Sequence, residues 1–289
     1  MVWGTTWVVS KIGVNEMPAL QMASVRQLIG GTIFISFFLF YRKFPLPTRK
    51  QFRWLFIMSI IMFVSANGLS TWSIQFIPAG LSSLIGALYP LSVVIIEKVF
   101  FKSRKLTALT FTGLFLGIAG IAVVFYENAF HKAGSHFLFG VFLSSIAMLS
   151  WSVGTVFIAR NKTEINPYYG IGWQMVIASV MLFVISEISG KTIPIAEIPI
   201  TVWLCIAYLV LLGSLVAFIA FIYSMKTLSP SLASLYAYIN PLVAMITAHF
   251  VLNEKLTINI LWGSVLTLGG VFLVNYSMKN VPAPTEPEI

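Results

Sequence analysis

The strongest chemical signal in the sequence is Arg26, a cation six residues into the apolar run that begins at Leu20. A charge at the centre of a bilayer costs at least ~2.5–3.5 kcal/mol, so an ionisable residue in an apolar segment marks a solute pathway by default. A guanidinium here can hold the carboxylate or phosphate of an anionic or zwitterionic solute. Its plainer roles are snorkelling outward or bonding backbone carbonyls at a helix break. Glu97, beside Lys98, fits an interfacial salt bridge and, as the sharper alternative, a proton-coupling carboxylate. Lys11 reads as a snorkelling residue, His249 as an interfacial one, and Glu254 as a cap on the turn before the last apolar run.

Uncharged polar and aromatic residues crowd the same apolar runs. Asn67, Ser70, Thr71, Trp72 and Gln75 fall in one, Ser150, Trp151 and Ser152 in another, Trp173 and Gln174 in a third, and Tyr236, Tyr238 and Asn240 in a fourth. Polar side chains in lipid seek the bundle interior. Trp and Tyr supply flat apolar walls with one polar handle, as small-molecule pockets do, or else an interfacial belt. The expected site therefore comprises Arg26, Asn67, Trp72, Trp151, Trp173, Gln174, Tyr238 and Asn240. Pro90 and Pro241, each inside an apolar run, are expected to kink their helices and serve gating; Glu97 is the candidate for coupling.

Other chemistries lack their residues. All nine acids are glutamate, which removes Asp-based metal and phosphoryl chemistry. No Gly-x-x-x-x-Gly-Lys-Ser/Thr loop is present. Three scattered histidines make no zinc set, and the single Cys205 allows no intrachain disulfide or thiolate metal site. No cofactor or metal is expected.

The elements that must position these residues follow from composition. Of 289 residues, 58% are hydrophobic and 9% charged, against roughly a quarter charged in soluble domains; mean hydropathy is +0.91. Apolar runs predict ten membrane helices at 2–14, 20–40, 54–76, 79–100, 108–126, 137–159, 168–188, 202–225, 231–251 and 258–277. The first is short for a span of ~20 residues: either it begins before its first turn is formed, or the natural chain has a few more residues in front. Residues 279–289 read as a flexible tail. The net charge of +9 lies in short runs between spans, which speaks for membrane orientation rather than nucleic acid. Lys and Arg concentrate between Arg42 and Arg53, between Lys98 and Lys105, and at Arg160, Lys162, Lys226 and Lys279, leaving Lys11, Lys132, Lys191 and Lys255 on the other face. That bias predicts both termini in the cytoplasm.

A shift of about 150 residues superposes parts of the chain on itself. Trp3 falls on Trp151, Pro18 on Pro167, Pro90 on Pro241, Lys105-Leu106-Thr107 on Lys255-Leu256-Thr257, Gly113 on Gly263 and Gly120 on Gly270. Residues 1–127 and 136–278 are thus expected to form two five-helix repeats. Five is odd, so the second copy must enter the membrane from the opposite face, which is the inverted-repeat plan with a site near the midplane. Gly113 and Gly117 are a small-residue pair suited to packing helices five and ten, or to a dimer.

Trp3-Gly4-Thr5-Thr6-Trp7 to Lys11, with Pro18 and Arg26, resembles the opening of an EamA-type half in the drug/metabolite transporter superfamily. So does Ser231-Leu232-Ala233-Ser234-Leu235 through Asn240-Pro241 to Leu252-Asn253-Glu254-Lys255-Leu256-Thr257. The resemblance implies ten helices, an inverted repeat and a central cavity, in proteins that move amino acids, metabolites, nucleobases or drugs, often outward. The chain departs from it at Ser103, where the first copy lacks the counterpart of Glu254 and carries Glu97 six residues earlier.

The expectation is an all-α integral membrane protein of about ten transmembrane helices in two inverted five-helix repeats. It would act as a secondary transporter, an exporter of a small metabolite, amino acid or drug-like solute, in the inner (plasma) membrane. Its partners would be that small-molecule substrate and the lipid bilayer, as a monomer or homodimer. An integral-membrane enzyme acting on lipid would need clustered acids or histidines near an interface, and the sequence shows none. A non-transporting receptor or subunit would bind solute without flux.

Overall fold

The computed structural model describes residues 2–101, 107–131, 136–160, 165–227 and 236–279, with backbone alone at 125, 127–131, 225–227, 236–238 and 278–279. Among the described residues it forms ten long helices and one 3-10 turn (Ile195–Glu197): α1 (Val2–Val14), α2 (Ala19–Tyr41), α3 (Arg49–Ser73), α4 (Ala79–Phe101), α5 (Ala108–His131), α6 (Phe137–Arg160), α7 (Pro167–Ile188), α8 (Ile200–Tyr208, continued by Leu209–Val216 and Ala217–Thr227), α9 (Tyr236–Leu252) and α10 (Ile258–Lys279). Seven of these are long and apolar enough to cross a bilayer by themselves; α1 and the described apolar parts of α5 and α9 are shorter. The tail beyond residue 279, Ser103 and the 231–235 segment lie outside the described residues.

Local chemistry sets the ends. Pro18, Pro78 and Pro199 stand immediately before α2, α4 and α8, where a missing N–H costs nothing. Asn166 caps α7 through the amides of Tyr168 and Tyr169 (3.0 and 3.3 Å). The apolar run alone placed the start of α3 at residue 54, but the helix begins at Arg49. Thr48 and Gln51 form a reciprocal capping box that carries the helix into the polar headgroup zone. Thr48→Ala is expected to lower stability by about 1 kcal/mol while leaving solute movement intact, as read by thermal unfolding in detergent. Lys43 (φ 53°), Asn253 (φ 55°) and Gly190 (φ 63°) terminate α2, α9 and α7 in left-handed turns.

The burial pattern is that of a chain in lipid. Gln21, Gln27, Ser59, Ser82, Thr110 and Thr267 are buried, whereas Phe40, Phe100, Phe115 and Phe250 stand exposed on the outer surface. Interior hydroxyls bond one another, as in the chain from Ser73 through Ser82 to Ser144 (3.1 and 3.0 Å).

Helix α2 packs along α7 and α5 along α10, and several other contacts come in exchanged pairs. Helix α1 lies against α9 as α6 lies against α4, and against α8 as α6 lies against α3. Corresponding helices run in opposite directions. Gly113 faces Gly270 while Gly120 faces Gly263, and a Cβ on Gly113 or Gly263 would come within 2.7 Å of the opposing carbonyl. In the same sense, Ser24 donates to the Ser179 carbonyl and Gly31 meets Gly172. A 150-residue shift turns each of the two glycine pairs on α5 and α10 into the other, so the repeats are inverted. Wide, π-helical winding also recurs at repeat-equivalent positions, over Ser59–Gly68 in α3 and Leu209–Val216 in α8.

Candidate functional site

A cavity of about 190 Å³ lies where the two halves meet, walled by α1, α2, α3 and α4 from one half and by α6, α8 and α9 from the other. Arg26 is its one charged residue among the described lining, 7% exposed and projected from the middle of α2. Its Nε donates to Ser214 Oγ (3.2 Å), in the π-helical stretch of α8. Among the described residues, its terminal nitrogens meet no hydrogen-bond acceptor. Gly213 makes room for the guanidinium: a Cβ there would lie 3.2 Å from its Nη2 and 2.9 Å from Thr6 Cγ2. Gly213→Ala is therefore expected to displace Arg26 and cut solute movement at least tenfold without loss of folded protein, read by transport and size-exclusion profiles side by side.

Aromatic rings build the apolar wall. The Trp3 indole N–H donates to the Gly213 carbonyl (3.0 Å), and the ring meets Trp151 edge-on at 6.3 Å and Phe218 at 5.4 Å. Asn67 adds an amide whose Oδ1 accepts from Gln27 Nε2 (3.3 Å), and Gln27 also reaches the Phe63 carbonyl in the wide-turn part of α3. Asn240 and Pro241 close the α9 side, with Pro241 inside the helix. Pro90 behaves differently: α4 breaks at Ala87 and Leu88, and Pro90 sits in the first turn of the segment Tyr89–Phe101. Gly86, Ala87 and Tyr89 put that break on the cavity wall.

The structure thus brings together Arg26, Asn67, Trp151, Asn240 and Pro241. Tyr238 lies in α9, with its side chain outside the described residues. Trp72 instead lines a second, peripheral cavity of about 440 Å³ by the α1–α2 turn, stacked edge-on against Phe139. Trp173 and Gln174 lie off the cavity, where Trp173 packs against Tyr169 and Phe52 and the Gln174 carbonyl accepts from Ser59. Glu97, also off the cavity, stands 4.0 Å from Arg160 at the far ends of α4 and α6, and Arg160 covers the Phe101 ring. Trp3 and Trp7 were missed as wall residues; the repeat equivalence of Trp3 and Trp151 was the available signal.

Two charges meet where α3 gives way to α4, beyond Ser10 and Ile74 at one end of the cavity. Lys11 does not snorkel: its ammonium donates to the carbonyls of Ile74, Gln75 and Ile77 at the end of α3. Glu254 caps α4 rather than its own turn, accepting from the amides of Ala79 (2.7 Å) and Gly80 (3.2 Å). Each charge complements the helix dipole it touches.

A buried cation in a cavity between inverted helical halves defines the class: a multi-pass membrane transporter. Residues 1–126 and 138–276 match the EamA-like transporter family, and the chain belongs to it. It is 31% identical over 259 residues to the uncharacterized inner membrane transporter YedA of Escherichia coli K12, covering 89% of this chain and 81% of that one. It is 27% identical over 280 residues to the uncharacterized transporter YoaV of Bacillus subtilis, covering 96% and 94%. A solved crystal structure superposes with a TM-score of 0.66 at 16% identity, over 96% of this chain and 95% of that one, which shows the fold alone.

Proposed function

We propose that this chain is a secondary transporter that exports a small metabolite, amino acid or drug-like solute across the plasma membrane by alternating access, with both termini cytoplasmic. The observation that carries the reading is the cavity at the crossing of the halves, lined from both and holding the buried guanidinium of Arg26. Inverted repeats exchange conformations, so inward- and outward-open states have similar energy. On this reading the Lys11 and Glu254 contacts seal the outer end, while Glu97 and Arg160 form a looser pair at the inner one. The break before Pro90 and the proline within α9, Pro241, supply the gating joints.

Reconstitution of the purified chain into vesicles tests this. One solute class from a panel of amino acids, organic acids and cationic dyes is expected to be taken up, faster when the same solute is preloaded inside. Binding without flux for every class would sink the reading in favour of a receptor. Cysteines placed at Arg42 and Arg160 should label from the cytoplasm, and one at Lys191 from outside.

A further inference from the structure

We propose that the transported solute is a singly charged carboxylic acid with a compact apolar body, its carboxylate held by Arg26; this rests on the transporter reading above. The argument starts from charge. Among the described lining residues Arg26 is the only charged one, and no glutamate faces it. Its Nε is engaged by Ser214, and the rest of the guanidinium has no protein acceptor among the described residues. A buried, uncompensated cation is unfavourable until an anion joins it, and the planar fork of Arg matches a carboxylate through two parallel hydrogen bonds.

The same accounting rejects other guests. A zwitterion would pair its carboxylate but leave its ammonium among neutral Asn67, Ser70 and Asn240, with the cavity still net positive. A cation would gain from the indole faces of Trp3 and Trp151, yet would sit beside Arg26 with no counter-charge, where low dielectric strengthens repulsion. A dianionic phosphate asks for a second cation, and Lys11, the cation on α1, is outside the lining and committed to the carbonyls that follow α3. Around Arg26 the walls are Trp3, Trp7, Trp151, Phe218 and Met148, and about 190 Å³ is small beside ordinary ligand sites of ~300–1,000 Å³. These features select one anionic group on an apolar body of about one ring.

Three probes with the same phenyl ring and two-carbon chain isolate the charge: 3-phenylpropanoate, phenylalanine and 2-phenylethylamine. Binding to the purified chain is followed by quenching of its tryptophan fluorescence, and uptake by vesicle assay. The acid is expected to bind at least tenfold tighter than either of the others. Arg26→Gln is expected to weaken it at least tenfold, and Arg26→Lys to retain part of the affinity. If Arg26→Gln fails to fold, the ranking on the unmodified chain decides alone. Equal or tighter binding of the amino acid or the amine, or binding of none of the three, overturns the proposal. Binding of the acid without uptake supports the anion site and overturns the transporter reading.

Discussion

Leucine in place of Gly270 is expected to destroy the folded protein, while leucine one residue earlier, at Gly269, leaves it intact. A Cβ at Gly270 would come within 2.9 Å of Gly117 Cα, and one at Gly113 within 2.7 Å of the Gly270 carbonyl, so backbone rests directly on backbone. Backbone cannot rotate aside as a side chain does, so α5 and α10 must separate. Separation takes Val274 off Gly113 and pulls Ser277 from Thr107 and Thr110. Overpacking a core costs about 1–3 kcal/mol, more where nothing can yield, and the whole margin of a folded chain is only ~5–15 kcal/mol. A Cβ at Gly269 meets nothing within 4 Å, and leucine is the better helix former. Size-exclusion profiles of the two variants decide it: two folded proteins, or two aggregates, would show that the α5–α10 seam is not what holds this end of the bundle.

On the proposed reading, in which the Lys11 and Glu254 contacts seal one end of the cavity, Glu254→Gln should open that end. The carboxylate accepts from two amides at the first turn of α4. Glutamine offers one acceptor oxygen and turns an N–H donor toward the other amide. Hydrogen bonds to a charged group are worth about 1.5–3 kcal/mol each, so a net loss of about 3 kcal/mol shifts the closed-to-open ratio roughly 100-fold. Cys205, the single native thiol, is buried and can be replaced first. A cysteine at Thr71, on the cavity wall, should then react about 100-fold faster from the Lys255 side in the Glu254→Gln background. An unchanged rate would mean that this junction caps a helix and seals nothing. Lys11→Met should act in the same direction, since it strips the α3 carbonyls of their donor.

The sequence was most informative about what lipid dictates. Apolar runs located all ten helices because a span must be apolar along its length, and the small-residue pair Gly113 and Gly117 offered the packing of α5 on α10, where no side chain fits. It was least informative about helix rotation. Asn67 and Trp72 lie in one polar cluster, but five residues at 3.6 per turn leave them about 140° apart, so Asn67 faces the cavity and Trp72 the periphery. Trp173 and Gln174 lie off the cavity for the same reason: residues with lipid on one side and protein on the other carry little amphipathic contrast to fix their phase. The partnership of Lys11 and Glu254 with the α3–α4 junction was illegible because those residues are distant in sequence, and each had an adequate local explanation. Glu97 and Arg160 met as charges at span ends commonly do.

The matched stretches of loose winding in α3 and α8 have a mechanical consequence. A helix segment bonded one residue too wide stores a surplus that can be taken up by reverting to ordinary pitch. Each residue taken up swivels everything downstream by about 100°. In α8 that motion would sweep Phe218 away from Trp3 while Gly213 and Ser214, within the loose coil, let go of the indole and of Arg26. On the transport reading proposed above, the inverted halves would own equivalent swivels at repeat-equivalent positions, and the grip on the guest and the rotation of the wall would be a single movement.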